Sequence, residues 1–272
     1  MGAWMSREEE VEKKRIFILA GQSNMAGRGG VEASKWDRVV PSECRSDPLI
    51  LRLNSGLCWE LAKEPLHRDI DTSKTCGVGP AMSFAHALLN SSSPSPSRVP
   101  IGLVPCAIGG TAIQQWERGS HLYKAMISRA KAAARGSAIE GILWYQGESD
   151  TESRQAAEAY GRKMESFVRD VRLDLQLPNL PIIQVALASG TEPYMDIVRE
   201  AQLGMHLPHV FCVDAKGLQL KKDNLHLTTP SQVQLGKMLA DAYLNHCVFL
   251  TILDHHTSWL CESHMICRRL RP

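Results

Sequence analysis

Several things are missing from this sequence, and each absence closes off a class of protein. Neither sign of charge dominates: 31 Lys and Arg stand against 29 Asp and Glu, a net of +2. That balance gives no reason to expect nucleic acid or a strongly acidic partner. No run reaches the roughly 18 apolar residues of a membrane span; the longest late run, 247–253, is far too short. The opening MGAWMSREEEVEKKR has no apolar h-region, so no secretory signal is read there and a cytoplasmic location is expected. Its first six residues fit the loose N-myristoylation pattern at Gly2, a pattern short enough to arise by chance, and Gly2 is read as unmodified.

The eight cysteines (Cys44, Cys58, Cys76, Cys106, Cys212, Cys247, Cys261 and Cys267) form no CxxC pair. The zinc-ribbon and thioredoxin readings therefore lack support, and free thiols are expected. His206 and His209, and the pair His255 and His256, have no third ligand at useful spacing, so neither metal nor cofactor is called for. No glycine-rich phosphate loop or dinucleotide fingerprint follows the first apolar run. The nucleophile elbow G-x-S-x-G is also absent, because Met25 stands where its second glycine belongs.

What is present reads as one or two globular domains. The chain has 272 residues and is 44% hydrophobic, and at this length no disulfide or metal is needed to hold a core. Five short apolar runs read as strands: 15–20, 49–53, 101–105, 139–145 and 181–187, with a possible short sixth at 210–213. Helical periodicity lies between them. A helix begins after Pro80 and another after Ser120. The longest is capped by Asp150 or Thr151, and the last is capped by Thr229 in a capping-box pattern with Pro230 as its first helical residue. Alternating strands and helices imply a parallel sheet covered on both faces. The stretches 27–48 and 54–79 are long and irregular, as functional loops often are. Residues 1–13 read as an extension. Residues 247–272 lose periodicity, hold three cysteines and read as an atypical tail.

In such a sheet, ligands bind beyond the carboxyl ends of the strands. GQSNMAG (21–27) follows the first strand, CAIGGT (106–111) the third and QGESD (146–150) the fourth, and DNLH (223–226) lies near the end. Ser23 is the candidate nucleophile, His226 its base and Asp223 the carboxylate that orients the ring. The Ser23 N–H, Gly109 or Gly110, and the Gln146 amide are candidate donors to an oxyanion. Gln22, Asn24, Trp116 and Glu148 are candidate substrate contacts, Glu148 with a structural role equally open.

Taken in order, these four blocks resemble the SGNH hydrolase superfamily. Within it they resemble the carbohydrate esterase group of plant probable carbohydrate esterases, acetylxylan esterases and sialate O-acetylesterase. The resemblance spans about residues 14–246. It implies an α/β fold: a flavodoxin-like three-layer α/β/α sandwich on a central five-stranded parallel sheet. It also implies a Ser23–His226–Asp223 triad, with Gln146 where the wider superfamily has Asn, and hydrolysis of acetyl esters on a carbohydrate. The alternatives are a lipid or small-acyl esterase of the same superfamily and a carbohydrate-binding pseudoenzyme.

Overall fold

The apolar run Arg15–Gly21 is buried along almost its whole length because it lies at the centre of the sheet, with a parallel neighbour on each side. The structure is a computed structural model and describes residues 13–91, 99–190 and 193–248. In chain order its elements are β1 (Arg15–Gly21), the single turn α1 (Ser23–Ala26), the ribbon strands β2 (Val31–Glu32) and β3 (Lys35–Trp36), β4 (Ile50–Leu53) and β5 (Trp59–Leu61). Then follow α2 (Ala81–Asn90), β6 (Ile101–Pro105), α3 (His121–Ala133), β7 (Ala138–Tyr145), α4 (Arg154–Leu175), β8 (Ile182–Ala186), α5 (Met195–Leu203), β9 (Val210–Asp214) and α6 (Thr229–Tyr243).

The main sheet runs β5-β4-β6-β1-β7-β8-β9. It has seven strands, two more than the five expected. Six are parallel, and β5 is an antiparallel edge strand that pairs Leu51 with Leu61 and Leu53 with Trp59. β5 lies in a stretch read as loop because its three residues are too few to show an alternating pattern. The expected short strand near 210 is β9, paired along β8. From β1 the chain passes to β4 and the edge strand β5, returns to β6 beside β1, and then crosses to β7 on the other side. The carboxyl end of β1 is therefore the switch point at which such sheets bind ligands.

Two aromatic clusters fasten the helical layers. On one face Phe17 meets Phe84 of α2 and Tyr243 of α6 edge-on, with ring centroids 4.9 and 5.0 Å apart. On the other, Trp144 packs against Phe167 of α4 at 4.4 Å and against Trp116 at 5.3 Å. Two caps differ from expectation. Ser153, not Asp150 or Thr151, accepts the Ala156 N–H at the start of α4, because Asp150 is taken up by a buried network described below. Thr228 rather than Thr229 caps α6, accepting from Ser231. Ser120 caps α3 as expected. Helix α5 was not read from the sequence. Gly2 and the tail beyond Val248 lie outside the described residues. No helix among the described residues is long and apolar enough to cross a membrane.

Helices α2 and α6 approach most closely at Gly236. A Cβ there would sit 2.0 Å from Ser83 Oγ and 2.2 Å from the Pro80 carbonyl oxygen. Alanine would add about 1 kcal/mol of helix propensity. The serine can rotate away, but the backbone oxygen cannot, and overpacking costs about 1–3 kcal/mol or more. Gly236→Ala is therefore expected to lower the thermal midpoint by a few degrees; an unchanged or raised midpoint would show that the two helices can separate freely.

Candidate active site

The site begins at a turn that only glycine permits. Gly21 has φ +122°, and a Cβ there would lie 2.1 Å from the Tyr145 carbonyl oxygen. That same oxygen accepts the Gln22 N–H at 2.8 Å. The chain thus leaves β1 pressed against β7, and Ser23 opens α1 at the sheet's rim. From the far end of the sequence His226 reaches Ser23, with Nε2 3.0 Å from Oγ. His226 Nδ1 is 2.8 Å from Asp223 Oδ2. An ionised carboxylate can only accept, so Nδ1 carries the proton and Nε2 is left to accept from the serine hydroxyl. The other carboxylate oxygen, Asp223 Oδ1, accepts the backbone N–H groups of Leu225 and His226 at 3.0 and 2.9 Å. This turn holds Asn224 at φ +52°.

The two titratable partners are shifted in ways that suit this arrangement. Burial works against the Asp223 carboxylate, but hydrogen bonds from the His226 backbone, the His226 ring and Leu225 outweigh it and hold its pKa at about 2. Burial lowers the pKa of His226. The Asp223 hydrogen bond and charge oppose the shift, and the nearby Arg28 and Lys221 cations add to it. The net shift favours the neutral imidazole, the form that can accept a proton.

Four residues expected to face substrate or an oxyanion are instead buried struts. Asn24 is fully buried. Its Nδ2 donates to Glu148 Oε1 at 2.8 Å and to the Leu225 carbonyl at 3.2 Å, and its Oδ1 accepts the Leu227 N–H at 3.0 Å. Asn24 thereby ties the serine turn to both flanks of His226. Glu148 is buried behind it. Gln22 Oε1 accepts from Gln146 Nε2 at 3.2 Å and from the Gly147 N–H at 3.3 Å. Gln146 Nε2 also donates to the Thr111 carbonyl at 2.9 Å and to Asp150 Oδ2 at 2.6 Å. The two N–H bonds of the Gln146 amide face three buried protein acceptors, so neither is left to meet an oxyanion as expected.

Trp116 is likewise fully buried, donating its indole N–H to Thr111 Oγ1 at 3.1 Å. It is core, not a cleft wall. The glycine pair separates cleanly. The Gly109 N–H donates to Asp71 Oδ2 at 3.1 Å, whereas Gly110, exposed and at φ +75°, has no acceptor for its N–H among the described residues.

Asp71 and its partner Arg28 escaped sequence reasoning because they lie in the irregular stretches, where no periodicity marks them. Asp71 is buried and paired with the Arg28 guanidinium. Arg28 Nη2 and Ser23 Cβ both approach the position that a Gly109 Cβ would fill, at 2.5 and 3.4 Å. A guanidinium thus stands beside the serine, one edge neutralised by Asp71. Arg28, Lys74, Lys221, Asp223 and His226 line a cavity of about 580 Å³ whose remaining wall is mostly Ser and Thr. Among the described residues, no three His, Cys, Asp or Glu side chains gather as a metal site would require.

A parallel α/β sandwich with this site at its switch point defines the class of protein: a carboxylic ester hydrolase. Residues 13–245 match the family described as carbohydrate esterase, sialic acid-specific acetylesterase, and the chain belongs to that family. A probable carbohydrate esterase of Arabidopsis thaliana is 56% identical over 246 residues, covering 88% of this chain and 94% of that one. The crystal structure of that Arabidopsis protein superposes with a TM-score of 0.82, covering 86% of this chain and all of the other. NanS (17% identity, TM-score 0.66, 90% and 98% of the two chains) shares the fold. So does a carbohydrate acetylesterase of Xanthomonas citri (19%, 0.60, 86% and 57%).

The buried Glu148 makes a checkable contribution to stability. Burial raises its pKa to about 7 despite the Asn24 hydrogen bond, and Oε2 has no hydrogen-bond partner among the described residues. Its folded pKa exceeds the unfolded value of about 4.3. The stability linked to it is therefore complete below that value and is lost as pH rises through about 7, a change on the order of 3 kcal/mol. Glu148→Gln keeps an acceptor for Asn24 and cannot ionise. It should flatten the fall in thermal midpoint between pH 5 and pH 8; a variant with the wild-type slope would mean that Glu148 ionises freely in the fold.

Proposed function

We propose that the chain is a serine esterase that removes acetyl groups from a carbohydrate through an acetyl-enzyme, and that residues 14–246 form the catalytic unit. The observation that carries this reading is the unbroken line from Ser23 Oγ to His226 Nε2 (3.0 Å) and from Nδ1 to Asp223 (2.8 Å). His226 Nε2 takes the serine proton as Oγ attacks the ester carbonyl carbon. The negative charge that develops on the carbonyl oxygen falls to the Ser23 and Gly110 N–H groups, which have no other acceptor among the described residues, with the Arg28 cation nearby. The imidazolium, stabilised by Asp223, returns its proton to the departing sugar oxygen. Water deprotonated by the same ring then releases acetate and restores Ser23.

The polar cavity favours a sugar over a lipid. Ser34, Thr72, Ser73, Thr75 and two lysines form its wall, where an acyl chain would need continuous apolar surface. The acetyl preference is supported by the kinship with a carbohydrate acetylesterase family.

Ser23→Ala and His226→Ala should each lower kcat on p-nitrophenyl acetate by roughly 10⁴-fold or more, and the double variant should be little worse than either, because the two act as one unit. Asp223→Asn should cost less, yet still heavily. A folded Ser23→Ala protein with near-normal turnover would end the mechanism.

The acid limb of kcat/KM should fall below the ordinary histidine value, since a protonated ring cannot accept the serine proton. Lys221→Met removes a cation that disfavours imidazolium, so it should move that limb to higher pH. A limb that stays put or moves down would show that Lys221 exerts no field on the ring.

A further inference from the structure

We propose that the cleft beside Ser23 takes an anionic saccharide chain: O-acetylated sugars that carry carboxylates on successive units, as in an oligouronate. The inference rests on the esterase reading above and names its substrate class.

The cavity at His226 adjoins a second one of about 540 Å³, and Ser34, Thr72, Lys74 and Thr75 belong to both walls. Together they form one cleft, longer than a single acetyl site needs. Its cations are Arg28, Lys74 and Lys221 beside the triad and Lys35, Arg38 and Arg68 farther out. Its one acid is Asp223, whose oxygens are already engaged by the His226 ring and two backbone N–H groups. The whole chain is almost neutral, so this concentration of one sign is a local feature.

Three of the six cations are already committed. Arg28 is paired with Asp71, Arg68 with Glu60, and the Lys221 ammonium donates to the Val31 carbonyl with Asp223 at 3.9 Å. Lys35, Arg38 and Lys74 are exposed and have no ion-pair partner among the described residues. Two further acids, Glu32 and Asp37, line an adjoining cavity that shares Lys35, Trp36 and Lys221 with the cleft, and neither is within ion-pair distance of a cleft cation among the described residues.

The free cations therefore sit both beside the triad, at Lys74, and in the outer cavity, at Lys35 and Arg38. A lone acidic sugar would leave the outer pair unused. A chain with a charge on each unit meets both, and like-signed side chains along a cleft raise the local concentration of such a ligand. Trp36, in the outer wall, adds an aromatic surface for a sugar ring. Trp36 thus takes the place in the cleft that the sequence had suggested for Trp116.

The test compares kcat/KM on acetylated oligogalacturonate, on acetylated xylo-oligosaccharide and on O-acetylated sialic acid. The wild-type protein should favour the acidic oligomer over the neutral one by about tenfold or more, and its KM for the acidic oligomer alone should rise between about 0.05 and 0.5 M salt. In the triple variant Lys35→Ala, Arg38→Ala, Lys74→Ala, whose folding is checked by its thermal midpoint, that ratio should fall about tenfold, chiefly through KM.

Equal rates on the acidic and neutral oligomers in the wild type would overturn the proposal. So would a preference for the single sialic acid, or an unchanged ratio in the variant. Calorimetric binding of unacetylated oligogalacturonate to Ser23→Ala keeps the two readings apart. Binding that the three substitutions weaken about tenfold upholds the cleft even if Ser23 proves dispensable for hydrolysis; absence of binding refutes the cleft while leaving the esterase reading intact.

Discussion

The carboxamide of Asn24 is the contact on which the rest of the site depends. Ser23 and His226 are separated by most of the chain, and their 3.0 Å approach must be enforced by something other than itself. Asn24 does this from the residue next to the serine. It accepts from Leu227 and donates to the Leu225 carbonyl, so both peptides flanking His226 are registered to the serine turn. Gln232 of α6 adds a bond to the Asn24 carbonyl at 3.1 Å, and Ser189 holds the Leu225 carbonyl at 2.6 Å. An amide suits the position because it both donates and accepts, and a dry environment makes each unmade bond costly.

Behind this strut lie carboxyl groups in opposed environments. Asp223, at the rim, is surrounded by donors and stays ionised. Glu148, in the interior, has one good donor and an empty oxygen, and burial drives its pKa up. Only the first sits where its charge can act on the imidazole; the second belongs to the scaffold. Asp71 and Asp150 are buried too, and each accepts a backbone N–H from the segment 109–113. Buried acids thus hold both ends of the glycine turn, while the Gly110 N–H has no acceptor among the described residues.

Much of this was legible along the chain. Glycine, serine and amide residues following apolar runs reveal themselves because a parallel sheet brings its strand ends to one rim whatever lies between them. The Ser120 cap and the positions of the longer strands could be read for the same local reasons. Local signals failed where length or contact decided the outcome. β5 was too short to show a period. Asp150 looked like a helix cap but is spent on Gln146 and Ile113. Trp116 looked like a sugar platform but lies against Trp144.

The sequence by itself determined the α/β class and the order of the blocks, and offered Ser23, His226 and Asp223 as candidates that the family resemblance joined into a triad. These follow from patterning and from side-chain chemistry, both carried by neighbouring residues. Only the tertiary structure decided which polar residues face the cleft. Gln22, Asn24, Gln146 and Glu148 have the chemistry of ligand contacts, yet each is hydrogen-bonded inside the protein. Arg28 and Lys74, from loops without pattern, and Trp36, from the two-residue strand β3, line the cleft instead. A residue's type states which bonds it can make; whether those bonds go to protein or to ligand depends on partners brought from distant parts of the chain. The near-neutral total conceals the cationic cleft for the same reason, since a sum of charges keeps no record of where folding places them.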